Sequence, residues 1–110
     1  MRETSITTPN VLTEVALKQR LETGSTLMIK CCQSPTRKAS VWYGLWTMEA
    51  HHPDGSSQML VTARSRLIGQ ISVREFKTVT GIVSFLKDCG FTKVTFPMIE
   101  GDFVSLPMDS

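Results

Sequence analysis

Four residues in the middle of the chain have side chains that commonly bind zinc, namely Cys31, Cys32, His51 and His52. Structural zinc sites usually take two cysteines from a C-x-x-C segment. Here the cysteines are adjacent, and neighbouring residues of a strand point to opposite sides. A hairpin that joins the two segments would also separate the cysteines from the histidines by about 30 Å. The sequence therefore predicts no metal site, and the histidines are interpreted as surface residues beside a turn.

The chain offers little for nucleophilic or cofactor chemistry. A histidine near Asp54 could act as a base, but no G-x-S-x-G segment is present to expose a nucleophilic serine. The glycines form neither a G-x-G-x-x-G segment nor a Walker loop, so no phosphate-binding loop is indicated. We therefore predict a binding or regulatory protein rather than an enzyme, and we expect no cofactor.

Basic residues around one aromatic ring are the strongest functional signal in the sequence. In the predicted sheet, Tyr43 lies on the outer face, and the following cations gather around it: Lys30, Arg37, Lys38, Arg64 and Arg66. Clustered Lys and Arg side chains bind phosphates, and the bases of single strands stack on aromatic rings. These six residues are therefore predicted to form a site for single-stranded DNA or RNA.

Two other interpretations of this outer face stay open. The long Lys and Arg side chains could simply cover Tyr43 and Leu45, as they commonly do on a solvated sheet. Met28, Leu45 and Leu60 also lie on this face in the predicted register, and exposed apolar residues can bind another protein or a second copy of the chain. The alternative prediction is thus a protein-interaction module, such as a small inhibitor, an accessory subunit or a homodimer.

Length and composition indicate one ordinary globular domain. The chain has 110 residues, 41% hydrophobic and 20% charged, which suits a single domain with its own core. We expect residues 1–7 to form a flexible leader. The formal net charge of +2 is too small to indicate a nucleic-acid partner by itself.

The cysteine count indicates a compartment. Three cysteines are an odd number, which argues against a disulfide framework and favours a reducing cytoplasm. No apolar stretch has the length of a membrane span or the pattern of a secretory signal. We therefore expect a cytoplasmic protein with no membrane partner.

The predicted elements follow the order α-β-β-β-α-β. Thr8 and Pro9 would begin a first helix that ends before Gly24, and alternating apolar residues predict strands over residues 26–33, 40–51 and 58–66. Such an order predicts an α+β fold, in which the helices pack on one face of an antiparallel sheet made of a three-strand meander and a C-terminal strand.

The second helix has the clearest local signals. Ser72 and Glu75 match a capping box, and Ile71 and Phe76 match a hydrophobic staple, which predicts a helix over residues 73–89. Gly90 would end it in the left-handed conformation, with Phe91 packed on Leu86. Strands are then expected over residues 91–98 and, after a turn at residues 100–102, over residues 103–106.

The predicted turns fix a register for the two hairpins. A first turn at residues 34–39 would place Cys31 opposite Trp42, and a second turn at residues 53–56 would place Met59 opposite Ala50. One face would then form the core, with these residues: Leu27, Ile29, Cys31, Trp42, Trp46, Met48, Met59, Val61 and Ala63.

Overall fold

The structure is a computed structural model that describes residues 10–63 and 71–108, apart from the side chains of Ala63 and Ile71. The expected leader, residues 1–7, lies outside this part. The described helices are α1 (Glu14–Glu22) and α2 (Val79–Cys89). The described strands are β1 (Val11–Leu12), β2 (Thr26–Lys38), β3 (Val41–His51), β4 (Ser57–Ala63), β5 (Ile71–Val73), β6 (Phe76–Thr78) and β7 (Phe103–Pro107).

These elements form an α+β fold around one mostly antiparallel open sheet. The strand order is β1-β4-β3-β2-β7, with β5 paired to β4 and β6 paired to β3. Within this order, β2, β3 and β4 are the predicted meander, and β7 is the predicted C-terminal strand, paired antiparallel with β2. The short β1 runs parallel to β4. The predicted fold class is therefore confirmed.

The hydrophobic core lies between the sheet and the two helices. It is one cluster of buried residues: Leu12, Ala16, Leu17, Leu21, Leu27, Ile29, Cys31, Trp46, Met48, Ala50, Leu60, Phe76, Ile82, Phe85, Leu86, Phe91 and Leu106. Because α1 and α2 both contribute to this single cluster, they cover the same face of the sheet. In the described part of the chain, no helix is long and apolar enough to cross a membrane.

The first helix begins later than predicted. Val11 and Leu12 pair with β4 as a strand, and Thr13 is the N-cap residue of α1. This explains why the apolar residues from Val11 onward fit one helical stripe poorly, since the first of them belong to a strand. The predicted stop is confirmed, because Gly24 has a φ of +106° just after the helix.

The second helix also begins later, and the predicted capping box is wrong. Ser72 lies in β5 and Phe76 in β6, and the N-cap is Thr78, whose hydroxyl accepts a hydrogen bond of 3.0 Å from the Gly81 N–H. The strand pairings with β4 and β3 satisfy the backbone of residues 71–78 and override the local helix signal. The C-terminal end is as predicted, with Gly90 left-handed and the Phe91 N–H donating to the Leu86 carbonyl.

The second hairpin is shifted by one residue from the predicted register. Glu49 pairs with Met59 and Ala50 with Gln58, which places Leu60 in the core rather than on the outer face. A one-residue shift moves every side chain of a strand to the other face. The shift is explained by Gln58, which points inward because its side-chain oxygen accepts a hydrogen bond of 2.7 Å from the buried His52.

The segment after α2 is not the predicted strand. Residues 91–98 form no strand, yet Val94 and Phe96 still pack against the core, and the Pro97 carbonyl accepts a hydrogen bond of 2.8 Å from Trp46. The turn that follows and the last strand are confirmed, since Gly101 has a φ of +89° and β7 begins at Phe103.

Candidate nucleic-acid interface

The outer end of the β2–β3 hairpin carries most of the described candidate residues. β7 accompanies β2 only along residues 26–30, and β6 accompanies β3 only between Tyr43 and Trp46. Beyond Cys31 on β2 and before Tyr43 on β3, the described strands pair only with each other, up to a turn at Ala39 and Ser40. We call residues 33–45 the arm.

Two irregularities in β2 produce the arm. The register with β3 shifts between Cys31 and Gln33 and again between Gln33 and Thr36. Extra residues of this kind form β-bulges, which bend and twist the strand. Pro35, which lacks a backbone donor, falls in the second bulge, where no ladder bond is needed. The segment predicted as a turn is therefore a bulged strand, and β2 runs on to Lys38.

Gly44 is needed where the arm joins the core. A Cβ atom at this position would lie 2.8 Å from Cη2 of the Trp46 ring and 2.9 Å from the Gln33 carbonyl oxygen. Any larger residue would displace the buried indole or the bulged strand. The close approach therefore leaves room only for glycine at this position.

The turn at the tip has two residues. Lys38 pairs with Val41, and Ala39 has a φ of +57°, a conformation that costs a non-glycine residue about 1–2 kcal/mol. The Arg37 Nε donates a hydrogen bond of 3.0 Å to the Ala39 carbonyl. This bond gives the carbonyl oxygen a partner and holds the guanidinium beside the turn.

One face of the arm carries Tyr43. Thr36 pairs with Tyr43 and Lys38 with Val41, so these four side chains project to the same side. Together with Ala39 they line an open depression of about 540 Å³. Its volume lies within the range of small-molecule sites. Tyr43 is 44% exposed, so its ring is open to a ligand in this depression.

The opposite face of the arm carries Trp42. Trp42 is directly paired with Arg37, and 43% of its surface is exposed. On β6, Lys77 is exposed and lies between Phe76 and Thr78, and Thr78 pairs with Tyr43. Strand alternation therefore places Lys77 on the Trp42 side. Each face of the arm thus combines one accessible aromatic ring with at least one cation.

The cations of the arm lie apart from the acidic groups of the sheet. Among the described residues, neither Arg37 nor Lys38 forms an ion pair. Glu49, the acidic residue of β3, pairs with His51 at the far end of the strand. The positive charge at the tip is therefore available to an anionic ligand.

The structure brings together half of the six predicted site residues. Arg37, Lys38 and Tyr43 lie on the arm, but Lys30 pairs with Thr47 and Phe103, about 20 Å along β2 from the partner of Tyr43. The prediction that Lys30 flanks Tyr43 is wrong, because the strands pair four residues further along than expected. Arg64 and Arg66 lie outside the described residues.

Two residues of this interface were missed from the sequence. The strand alternation predicts Trp42 in the core, but Trp42 lies on the arm and keeps 43% of its surface exposed. Lys77 was assigned to a helix, although it belongs to β6. The Ser34-Pro35 pair, next to a run of strand residues, was the available signal for a bulge.

His52 is buried rather than exposed at the turn. Its Nδ1 accepts hydrogen bonds from the Ser25 hydroxyl (2.6 Å) and from the Arg20 Nε (3.3 Å), while Gln58 lies 2.7 Å from Nε2. Arginine can only donate, so Nδ1 is the acceptor and the ring proton lies on Nε2. Ser25 is 2% exposed and His52 7%, so this serine–histidine pair is buried.

The zinc-type side chains are spread along the hairpin. Cys31 pairs with Trp46 and His51 with Thr26, so the two are about 17 Å apart along the strands, closer than predicted. In residues 10–63 and 71–108, no group of three or more His, Cys, Asp or Glu side chains could hold a metal ion.

Comparison of the chain with known protein families, with curated proteins and with solved structures finds no significant match.

Proposed function

We propose that this chain is a small non-enzymatic protein that binds single-stranded DNA or RNA through the arm. One observation carries the proposal: each face of the arm presents an accessible aromatic ring beside a cation, Tyr43 with Lys38 and Trp42 with Arg37. Aromatic rings at the surface are costly to leave in water and are efficient stacking platforms for bases.

The chemistry of the arm suits a single strand. Bases in a duplex are already stacked, whereas an unpaired base can lie on Tyr43 in the depression while its phosphate contacts Lys38. Arg37 and Lys77 would hold the phosphates on the Trp42 side. Of the residues first assigned to the site, Arg64 and Arg66 remain part of the proposal, and Lys30 would contact only a strand that extends along β2.

The test measures binding of a labelled oligothymidylate of about 15 nucleotides by fluorescence anisotropy. We expect Arg37→Gln/Lys38→Gln to weaken binding and to make the negative slope of log affinity against log salt shallower by about 1.4, or about 0.7 for each lost phosphate contact of a single strand. The matched control is Lys87→Gln/Lys93→Gln, which removes the same charge at exposed residues outside the arm and should leave the slope unchanged. Equal effects of the two double variants would contradict a site on the arm.

The aromatic contribution has its own control. Trp42→Ala and Tyr43→Ala should each weaken binding by about 1–3 kcal/mol through lost stacking. Phe103→Ala removes an even more exposed ring, 59% accessible, on another strand and should have no effect. No binding of the unaltered chain at about 50 mM salt would refute the proposal.

We further propose that the protein works in a reducing cytoplasm. All three cysteines of the sequence are free thiols, with Cys31 buried and Cys32 and Cys89 half-buried. Free thiols persist where glutathione and thioredoxin keep cysteines reduced.

A protein-interaction module is the second candidate. Met98, Ile99 and Phe103 are 53%, 69% and 59% exposed and flank the turn before β7, which the Asp102 N–H closes by a hydrogen bond to the Ile99 carbonyl. Exposed apolar residues in a group often mark an interface. This surface is a better candidate interface than the predicted outer face with Leu45 and Leu60, because Leu60 lies in the core.

The free edge of β7 is a poor template for a partner strand, because two of its three outward positions offer no free backbone N–H. Cys31 and Asp102 share a ladder hydrogen bond, so residues 103, 105 and 107 direct their backbone groups away from β2. The Phe103 N–H is already bonded to the Asp102 carboxylate at 2.9 Å, and Pro107 has no N–H. Ile99→Asp should therefore abolish any self-association seen by gel filtration, and an unchanged mass would reject this interface.

A further inference from the structure

The tip of the arm is exposed and carries an unfavourable backbone conformation. Arg37, Lys38, Ala39 and Ser40 are all exposed, and Ala39 holds a left-handed φ of +57°. That conformation is unfavourable for a residue with a Cβ atom. Exposed backbone bonds with few buried contacts open more easily than the rest of a sheet. The tip can therefore offer its residues to another protein in an extended form.

Ser40 stands out because of the residues before it. Arg37 and Lys38 precede it by three and two positions, and Arg37 is held at the turn by its bond to the Ala39 carbonyl. Thr23 and Ser5 also follow an arginine by three positions, but a glutamate intervenes in each case, and Arg20, which precedes Thr23, is bonded to His52. An acidic protein surface that binds Arg37 and Lys38 would bring Ser40 next to it.

We infer that Ser40 is a phosphorylation site for a serine kinase whose peptide groove carries carboxylates for Arg37 and Lys38. In the reaction, the Ser40 Oγ attacks the γ-phosphorus of ATP, and a new O–P bond forms. The bond between that phosphorus and the β,γ-bridging oxygen breaks, ADP leaves, and the hydroxyl proton passes to the base of the kinase.

The modification would switch off the arm, a consequence that rests on the proposed function. A phosphoserine carries about −1.5 to −2 charges and three acceptor oxygens. Placed beside Arg37 and Lys38, it would neutralise both cations and form charge-assisted hydrogen bonds with the guanidinium. The phosphates of a nucleic acid would then meet no net positive charge at the tip.

The first experiment tests the site itself. The full chain is incubated with ATP, Mg²⁺ and a purified serine kinase that selects basic residues before its serine, and phosphorylation is followed by intact mass and peptide mapping. We expect one phosphoryl group, on Ser40. Ser40→Ala should prevent incorporation, Thr23→Ala should leave it unchanged, and Arg37→Gln/Lys38→Gln should slow it by about tenfold or more. No incorporation, or incorporation elsewhere, overturns the inference.

The second experiment tests the consequence with the oligothymidylate used above. Phosphorylated chain should bind at least about tenfold more weakly than unmodified chain at about 50 mM salt. Unchanged affinity of a chain phosphorylated at Ser40 overturns the switch. If the unmodified chain does not bind at all, the proposed function and the switch both fail, whereas the mass shift at Ser40 still supports the modification site.

Discussion

At the scale of single residues, the two tryptophans show how local geometry decides between packing and binding. Trp46 is fully buried, donates a hydrogen bond to the Pro97 carbonyl and meets the Phe96 ring edge-on at 6.1 Å. Trp42, four residues earlier, keeps 43% of its surface exposed. Strand alternation alone assigns both rings to one face and predicts both in the core. The pairing of β3 with β6 shifts in register between Tyr43 and Trp46, and no alternation pattern contains such an irregularity.

The three thiols give a prediction at this scale. We expect Cys32 to react first with iodoacetamide in the native chain, because it lies half-buried on the outer side of the sheet, whereas Cys31 is fully buried. Burial raises the pKa of Cys31, and it raises that of Cys89 to about 11. A raised pKa means less thiolate at neutral pH, so Cys89 should react slowly and accelerate as the pH rises toward 11.

Mass spectrometry of peptides after short labelling times measures the order of reaction. Cys32→Ser should remove the fast phase, and Cys89→Ser should leave it intact. Fast labelling of Cys31 at pH 7 would show that β2 does not pair with β3 in the register that places Cys31 opposite Trp46.

At the scale of elements, tertiary pairing explains most differences between the predicted and observed structure. The class and order of the main elements could be predicted, because the alternating strands and the Gly90 stop are strong local signals. The start of α2 could not be predicted. Ser72 and Glu75 satisfy the capping-box pattern, but Ser72 lies in β5 and Glu75 directly precedes β6. Arg74 stabilises this arrangement: its guanidinium lies 5.0 and 5.1 Å from the Phe76 and Phe85 ring centres and 3.2 Å from the Glu14 carboxylate.

The true and the mistaken helix caps give a matched pair of variants. Thr78→Ala should lower the free energy of unfolding by about 1 kcal/mol, because the Gly81 N–H loses its hydrogen-bond acceptor. Ser72→Ala should change the free energy of unfolding by less than about 0.5 kcal/mol. Ser72 is exposed, and its hydroxyl lies 3.5 Å from the Thr62 hydroxyl, which makes this a weak contact. Urea denaturation of both variants measures the difference. A larger loss of stability for Ser72→Ala than for Thr78→Ala would support the predicted helix start at residue 73.

The candidate site was predictable in kind but not in composition. The residue types that gather on the arm, Arg37, Lys38 and Tyr43, are adjacent in sequence or across one hairpin, so any register keeps them near each other. Lys30 depended on a register that the bulges changed. Trp42 and Lys77 joined the site only because of a bend and of a strand that local patterns do not predict.

At the scale of the whole molecule, one cluster of polar side chains connects α1 with the sheet. His52 follows β3 and contacts Arg20 of α1, Ser25 before β2 and Gln58 of β4, and Gln58 in turn donates to the Val11 carbonyl of β1 at 3.3 Å. This buried network joins five elements at the end of the sheet opposite the arm. Buried polar groups cost stability when they lose their partners, so such a network also fixes the register of the strands it joins.

The neighbouring histidines test this role with little change in composition. His52→Ala should lower the free energy of unfolding by about 3 kcal/mol, because the buried Ser25 hydroxyl and the Gln58 side-chain oxygen each lose a hydrogen bond to the histidine ring. His51→Ala removes a contact of 3.0 Å with Glu49 that is partly exposed, and it should cost less than about 1 kcal/mol. In urea denaturation, the midpoint should fall for His52→Ala with an unchanged slope, as expected if the whole domain unfolds together. Similar small losses of stability in both variants would show that the His52 cluster does not hold the elements together. A changed dependence of the unfolding free energy on urea would show that this end of the sheet unfolds separately from the core.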